Sequence, residues 1–432
     1  MGTTFIARGA LLLVPGILSL LTSLPAWAET HRLALPQVVE FALQNNGDLN
    51  AFREEKGIRE AGKTRAGLLP NPTLELEGGT GALTGSSAEN SLSLGVSQEF
   101  FLAGKREKRL AIAERELEMF RWQLADRERV LREEVKRAFY DVVLAEQRIA
   151  LADRFIALNR QLLDVAKERL AAGDIPELEM NLVKVELARS EGARIDVEKA
   201  LTLNQAKLRT LMGPSHGESP KIAGAFTTEI SMSKGLGDLK PLAAEKRPDL
   251  RALEVEKGRG EADITLARAE RIPNLTAGLA VKRDNTAIEV GGVEGKDTAY
   301  TIGLRLSMPI PLFDRNQAGV QEAKAKRNST ESRLLAAIRN VEQEVETACA
   351  SYLNSEKVLS LYKTNIIPQL EENLNLTQEA YRLGEVGILA VIQEQKKFFE
   401  INEGYLAALH DRQSALVRLE AAVATDLSGG AQ

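Results

Sequence analysis

The chain is predicted to be mostly α-helical with a small β part, built as two copies of one elongated unit. Three observations carry this. Residues 106–172 contain no Pro and no Gly and are dense in Ala, Leu, Glu, Arg and Lys, the strong helix formers. Residues 316–383 form a second long stretch rich in helix formers, with Pro368 inside it. Before each long stretch, a Pro-Asn pair introduces two short segments that alternate apolar and polar residues, the mark of half-buried strands.

The first long helix carries a seam at steps of three and four: Val135, Ala138, Val142, Ala145, Ile149, Ala152, Ile156, Asn159, Leu163, Ala166 and Leu170. That is a coiled-coil seam with one polar interruption, and its alanines admit a close neighbour. At 1.5 Å per residue the helix spans roughly 100 Å. The second seam runs through Val341, Val345, Ala348, Tyr352, Ser355, Leu359, Tyr362 and Ile366, and Pro368 inside that helix predicts a kink or loosened turn.

Each long helix ends at a glycine-marked tip turn, Gly173-Asp174-Ile175-Pro176 and Gly384-Glu385-Val386-Gly387, 211 positions apart. Gly173 and Gly384 fit left-handed helix ends, and Pro176 suits the first turn of a returning helix. Returning helices are expected over 177–211 and 388–425.

The strands are expected at about 73–78 and 91–100, joined by a loop rich in Gly, Ser and Thr, and at about 274–283 and 299–309, joined by a polar, Gly-rich loop. Pro70-Asn71 is matched by Pro273-Asn274, and Asp48-Leu49 by Asp249-Leu250. The division is a leader over 1–28, a first repeat over 29–211, a linker over 212–240, a second repeat over 241–427 and a tail over 428–432. A repeat of this kind fixes the architecture more firmly than any single residue.

Residues 1–28 read as a secretory signal, with Arg8, an apolar core over 10–21 and Ala26-Trp27-Ala28 as the cleavage site, so the mature chain is expected to begin at Glu29. Cys349 is the only cysteine, which excludes an internal disulfide and reads as a small packing residue. A formal net charge of -5 argues against nucleic-acid binding.

Four amphipathic strands do not close into a barrel within one chain. Their length suits a transmembrane β-strand, and a sheet in a bilayer must close. The coiled-coil seams also need partners along their length. Oligomerisation answers both needs.

Across nearly the whole mature chain this unit resembles the TolC-like outer-membrane efflux family. Gly67-Leu68-Leu69-Pro70-Asn71-Pro72 and Gln98-Glu99-Phe100-Phe101-Leu102-Ala103-Gly104-Lys105-Arg106 look closest to its heavy-metal branch, the outer-membrane components of cobalt–zinc–cadmium (CzcC-like) cation-efflux systems. The resemblance implies a TolC-like trimeric α/β barrel: a homotrimer whose strands form one barrel in outer-membrane lipid and whose helices form a periplasmic tunnel. It implies two partners, a periplasmic adaptor (membrane-fusion) protein and an inner-membrane pump of the resistance–nodulation–division class. It implies a location in the outer membrane of a Gram-negative bacterium. It also implies an Asp ring after the second tip turn, where this chain departs from the pattern and offers Gln393 within Val391-Ile392-Gln393-Glu394-Gln395.

No catalytic constellation, cofactor motif or closed metal site is legible, and an enzyme is not expected. His31, His216 and His410 lie far apart, without partners at ligand spacing, and read as surface residues. A conduit that bound its cargo tightly would not release it. On the strands, Leu74, Leu76, Tyr300, Ile302, Leu304, Leu306 and Met308 are expected to face lipid. Glu75, Glu77, Arg305 and Ser307 are expected to face the lumen, where carboxylates favour cations. At the tips, Asp174, Ile175, Glu385 and Val386 are expected to be exposed for adaptor docking. Two other readings share features with this one. A duct for drugs, small molecules or type I protein secretion has the same fold. A soluble periplasmic adaptor also uses long hairpins, but carries one of them between β-rich domains.

Overall fold

A computed structural model describes residues 32–83, 88–213, 222–226 and 235–427. The leader, His31, His216, most of the linker and the tail lie outside them. The described elements run α1 (Leu35–Asn45), α2 (Gly47–Gly67), β1 (Thr73–Thr80), β2 (Asn90–Phe100), α3 (Lys105–Ala172) and α4 (Glu177–Met212), then α5 (Leu236–Lys246), α6 (Pro248–Ala269), β3 (Leu275–Val290), β4 (Val293–Ser307), α7 (Gln317–Leu361), α8 (Ile367–Arg382) and α9 (Ile388–Val423). The same order of helix pair, strand pair and long helical hairpin occurs twice.

α3 is one unbroken helix of 68 residues. Of its expected seam, Val135, Ala138, Val142, Ala145, Ala152, Ile156, Asn159 and Ala166 are buried, and Ile149, Leu163 and Leu170 are half-buried. The second long helix is interrupted. Tyr362–Ile366 form a π-turn between α7 and α8, just before Pro368. Its cause is countable. Thr73 and Thr276, each two residues after the matched Pro-Asn pair, face Ser97 and Ser307 across their hairpins; from Ser97 to Gly173 the chain advances 76 residues, and from Ser307 to Gly384 it advances 77. A π-turn takes one extra residue into a helix without ending it.

The core is a string of clusters along the rod. One gathers α1, α2, α3 and α4 around Val38, Leu49, Phe139, Val143 and Leu208. Its counterpart gathers α5, α6, α7 and α9 around Leu239, Leu250, Val345, Tyr352 and Leu416, with Cys349 packed inside. A third joins the two hairpins near their tips.

The two copies are tied at matching joints. In the first, Asn46 caps α2 by accepting from the Leu49 N–H (3.0 Å) and donates to the Leu211 carbonyl near the end of α4 (2.9 Å). In the second, Arg247 stands in that place. It forks onto both oxygens of Asp249 (3.0 and 2.7 Å), meets Glu344 at 2.6 Å and donates to the Ala422 carbonyl near the end of α9. α4 then ends on Gly213 and α9 on Ala424, both with positive φ.

The strands form one antiparallel sheet in the order β1-β2-β3-β4. The β3–β4 hairpin corrects an expectation. The polar stretch after residue 283 is strand, and the turn is only Gly291-Gly292, both left-handed, as a two-residue hairpin of matching twist requires. Polar residues on both faces of Asp284–Thr286 hid the period. β4 stops at Ser307, not 309, because Pro309 has no N–H for a ladder.

Candidate functional site

The sheet has two unlike faces. The register aligns Leu74, Val96, Leu279 and Leu304 in one row and Leu76, Leu94, Val281 and Ile302 in the next. All eight are exposed, from 51% to 79%, and Tyr300, Leu306 and Met308 continue the patch. The alternating strand period turns every second residue to the other face. There Glu75, Gly95, Ala280 and Gly303 form one row and Glu77, Ser93, Lys282 and Thr301 another.

The polar face is closely packed on its middle strands, where Gly95 and Ser97 are buried, and exposed on its outer strands. A Cβ on Gly95 would lie 3.1 Å from the Ala280 Cβ, and one on Gly278 would lie 3.1 Å from the Ser97 Cβ. Ser97 is buried and donates to Glu75 (2.7 Å), and the Arg305 guanidinium reaches the same carboxylate at 3.4 Å. Arg305 and Glu75 sit on opposite outer strands, so the sheet curls around this face. Glu75, Glu77, Arg305 and Ser307 therefore share one side. Arg305 meets Glu75, and Lys282, paired with Asp284 at 2.8 Å, shares the row of Glu77, so this face carries charges of both signs.

The outer strands β1 and β4 each leave one edge unpaired. A flat edge beside an exposed apolar face is a site for pairing with another chain. The helices follow the strand order: α2 packs on α3, α3 on α6 and α6 on α7.

The two tips are built alike. The Asp174 N–H donates to the Arg169 carbonyl (2.9 Å) and the Glu385 N–H to that of Ala380 (2.8 Å), around Gly173 (φ +82°) and Gly384 (φ +78°). This is the left-handed glycine cap that closes a helix. It also corrects the expectation that Ile175 is exposed. The turn folds Ile175 inward, onto Leu162, Ala166, Val183 and Ile388, and only 7% of it stays accessible. Val386 is half-buried against the same cluster. Asp174 and Glu385 are exposed, while Pro176 and Gly387 cap the returning helices. Exposed apolar groups at the tips include Leu383, beside Gly384, and the matched pair Leu178 and Leu389, 211 positions apart and missed in the sequence. The repeat spacing itself was the signal that pairs them.

Gln393 is exposed on α9 and Gln395 beside it is buried. His410 is not an ordinary surface residue. Its Nε2 lies 2.9 Å from Asp141 on α3, whose other oxygen takes Lys207 on α4 at 3.3 Å. Burial alone would raise the Asp141 carboxyl, but the His410 and Lys207 contacts outweigh it and hold it below the usual range. Asp141 and His410 are 269 residues apart, so no local spacing revealed them. Among the described residues no group of three or more His, Cys, Asp or Glu side chains converges as a metal site. No described helix is long and apolar enough to cross a membrane.

Comparison with known proteins matches this architecture. The family model described as outer membrane efflux protein matches residues 38–214 and again 239–425, one match to each copy. The chain is 25% identical to the cobalt-zinc-cadmium resistance protein CzcC of Cupriavidus metallidurans, over 90% of this chain and 89% of that one. It is 25% identical to the nickel-cobalt-cadmium resistance protein NccC of Alcaligenes xylosoxydans xylosoxydans, over 64% of this chain and 60% of that one. Its fold matches crystal structures of CusC with a TM-score of 0.75 at 19% identity, covering 92% of both chains. It matches the open state of the Neisseria gonorrhoeae MtrE outer membrane channel with a TM-score of 0.70 at 19% identity, covering 92% of this chain and 90% of that one. With two copies of one hairpin unit, a curled amphipathic sheet and the family match over both copies, the chain belongs to the outer membrane efflux protein family, and is a transport duct rather than an enzyme.

Proposed function

We propose that this protein is the outer-membrane duct of a tripartite resistance–nodulation–division efflux system, that it works as a homotrimer, and that its cargo is divalent heavy-metal cations. The observation that carries the duct is the sheet: an exposed apolar face, a curled polar face and two free edges. In water such a face would aggregate, whereas in a bilayer it meets hydrocarbon and its edges must close on further strands. Glu75, Glu77, Arg305 and Ser307 then face the lumen. The leader over 1–28 sends the chain across the inner membrane. The long helices reach down the periplasm, and the tips meet an adaptor that joins the duct to an inner-membrane pump.

The metal cargo is supported by the two resistance relatives. Among the described residues the polar face holds no metal-ligand set, so on this reading the duct passes cargo that the pump and adaptor have chosen. At the tips, Asp174 and Glu385 flank Leu178 and Leu389, a mixed patch suited to a partner hairpin. Ile175 holds the tip together from within.

The test is a deletion strain challenged in parallel with zinc, cobalt, cadmium, nickel, copper, dyes and antibiotics. Sensitivity confined to metals is expected. Sensitivity confined to dyes or antibiotics would replace the metal reading with a drug duct, and loss of a secreted protein alone would replace it with a secretion duct. For the tips, Leu178→Asp with Leu389→Asp should abolish resistance and adaptor co-purification at normal protein level. Unchanged resistance with that pair would move the docking surface elsewhere.

A further inference from the structure

We propose that each open edge of the chain is closed by a second copy in the register that already joins the two repeats inside the chain, setting Arg305 opposite Glu77 of the partner subunit. The proposal rests on the homotrimer reading and adds its residue pairing. The structure contains the joint twice in principle and once in fact. β2 of the first copy pairs with β3 of the second, and the same kind of joint is left open between β4 and β1.

The equivalences come from the repeat. Pro70-Asn71 matches Pro273-Asn274, so Thr73 corresponds to Thr276. Thr73 pairs with Ser97 and Thr276 with Ser307, so Ser97 corresponds to Ser307. At the internal joint Ser97 pairs with Gly278, and Gly278 corresponds to Glu75. The open joint therefore pairs Ser307 with the partner subunit's Glu75, Leu306 with the partner subunit's Leu76 and Arg305 with the partner subunit's Glu77. Face agrees with face, apolar on apolar and polar on polar. A slip of one residue would reverse every side chain. Opposite charges directly across strands favour the pair. In the single chain Arg305 folds back onto its own Glu75, and the joint gives it a partner of the same charge one row away.

The helices support the same joint independently. Leu151 on α3 and Leu406 on α9 share one core cluster where the two copies meet. Above the π-turn α3 and α7 are offset by 210 residues, set by Ser97 and Ser307, while α4 and α9 are offset by 211, set by the tip glycines. The counterparts are thus Leu361 and Ile195, which are 55% and 64% exposed. Two apolar side chains that have no cover in one chain are those that the rule brings together between chains.

Paired cysteines in the full-length protein in outer membranes test this, in a Cys349→Ala background with copper-phenanthroline as oxidant. Leu76→Cys with Leu306→Cys, and Ile195→Cys with Leu361→Cys, should cross-link between chains up to a trimer. Leu74→Cys with Leu306→Cys, one row out of register, should react at least tenfold more slowly. An equal or faster rate for that pair overturns the register while the trimer stands. A trimer by mass with no cross-link from either predicted pair does the same. A detergent-solubilised monomer overturns both this proposal and the trimeric duct. A charge swap tests the ion pair: Arg305→Glu should lower the temperature at which the trimer dissociates in detergent, and adding Glu77→Arg should restore it. Restoration by Glu75→Arg and not by Glu77→Arg overturns the pairing.

Discussion

The first copy fastens its helix joint with Asn46 and the second fastens the same joint with Arg247. Both side chains reach the carbonyl near the end of the returning helix, Leu211 or Ala422. The neutral amide completes its work with one cap and one carbonyl. Arg247 is 5% exposed and brings a charge that must be answered, so Asp249 and Glu344 close on it. The ends of the returning helices differ in the opposite sense. Gly213 takes an extended backbone of positive φ (φ 93°, ψ 179°) that glycine adopts without strain, whereas Ala424 holds the left-handed helical conformation (φ 54°, ψ 35°) with a Cβ in the way. The same joint is thus closed by different chemistry, and the two returning helices end on different positive-φ conformations, so each copy should fail in its own way.

The largest expected contrast lies at the joint. Arg247→Ala leaves Asp249 and Glu344 without their cation, and should cost about 3 kcal/mol, at the low end for a broken buried pair because Glu344 is half-exposed. Asn46→Ala loses a cap and one carbonyl contact, and should cost about 1 kcal/mol. Denaturant titration of the detergent-solubilised protein separates the two, and equal losses would mean that the charge network adds nothing.

The helix ends come next. A Cβ at Gly213 would run into the Asn45 carbonyl oxygen, so Gly213→Ala combines the strain of a positive-φ extended backbone with a forced backbone shift and should cost about 2 kcal/mol. Ala424→Gly removes the strain and should gain about 0.5–1 kcal/mol. The same titration reads both, and a loss in the second would show that Ala424 is held by contacts that glycine cannot make.

Acid should loosen the second joint first. Burial alone would raise the Asp249 carboxyl, but the Arg247 fork outweighs it and holds it below the ordinary range. A carboxyl lowered by folding contributes stability that is fully present above its unfolded value, near pH 4, and is lost as pH falls through its folded value. Asn46 does not titrate. Hydrogen exchange in α5 and α6 should therefore rise below about pH 4 before that in α1 and α2, and Asp249→Asn should remove the difference. Parallel acceleration of both joints would sink this account.

Local chemistry made the repeat, the strand faces and the tip glycines legible, because each rests on a period or a backbone need that neighbouring residues display. Leu74 and Leu304 lie on one face because alternation put them there. Three things were not legible, each for a physical reason. Ile175 turns inward because the hairpin closes around it, which depends on helices that converge only in the fold. The β3–β4 hairpin extends through residues polar on both faces, where the period carries no signal. The contact of His410 with Asp141 joins positions remote in the chain. The π-turn lies between these cases. The one-residue surplus of the second copy is written in the sequence, but only the structure shows that Tyr362–Ile366 absorb it.

The smallest expected contrast is between the two tips, and it should be close to zero. Gly173 and Gly384 have nearly the same φ and the same pair of cap hydrogen bonds. A Cβ at Gly173 would meet no atom within 4 Å, and one at Gly384 would meet only the end of Arg169 at 3.5 Å, an ordinary contact. Neither site adds a clash to the cost of the left-handed backbone, so Gly173→Ala and Gly384→Ala should each cost about 1 kcal/mol. Their losses should agree within about 0.5 kcal/mol and should add in the double variant if the tips respond independently. The core cluster that joins the hairpins tests that independence. Ile175 and Val183 from the first tip share it with Tyr381 and Ile388 from the second. If loosening one cap shifts that cluster, the second substitution will cost less than the first. A double variant losing clearly less than the sum of the singles would show that the two tips open as one unit, and that the symmetry between the copies ends where their hairpins touch.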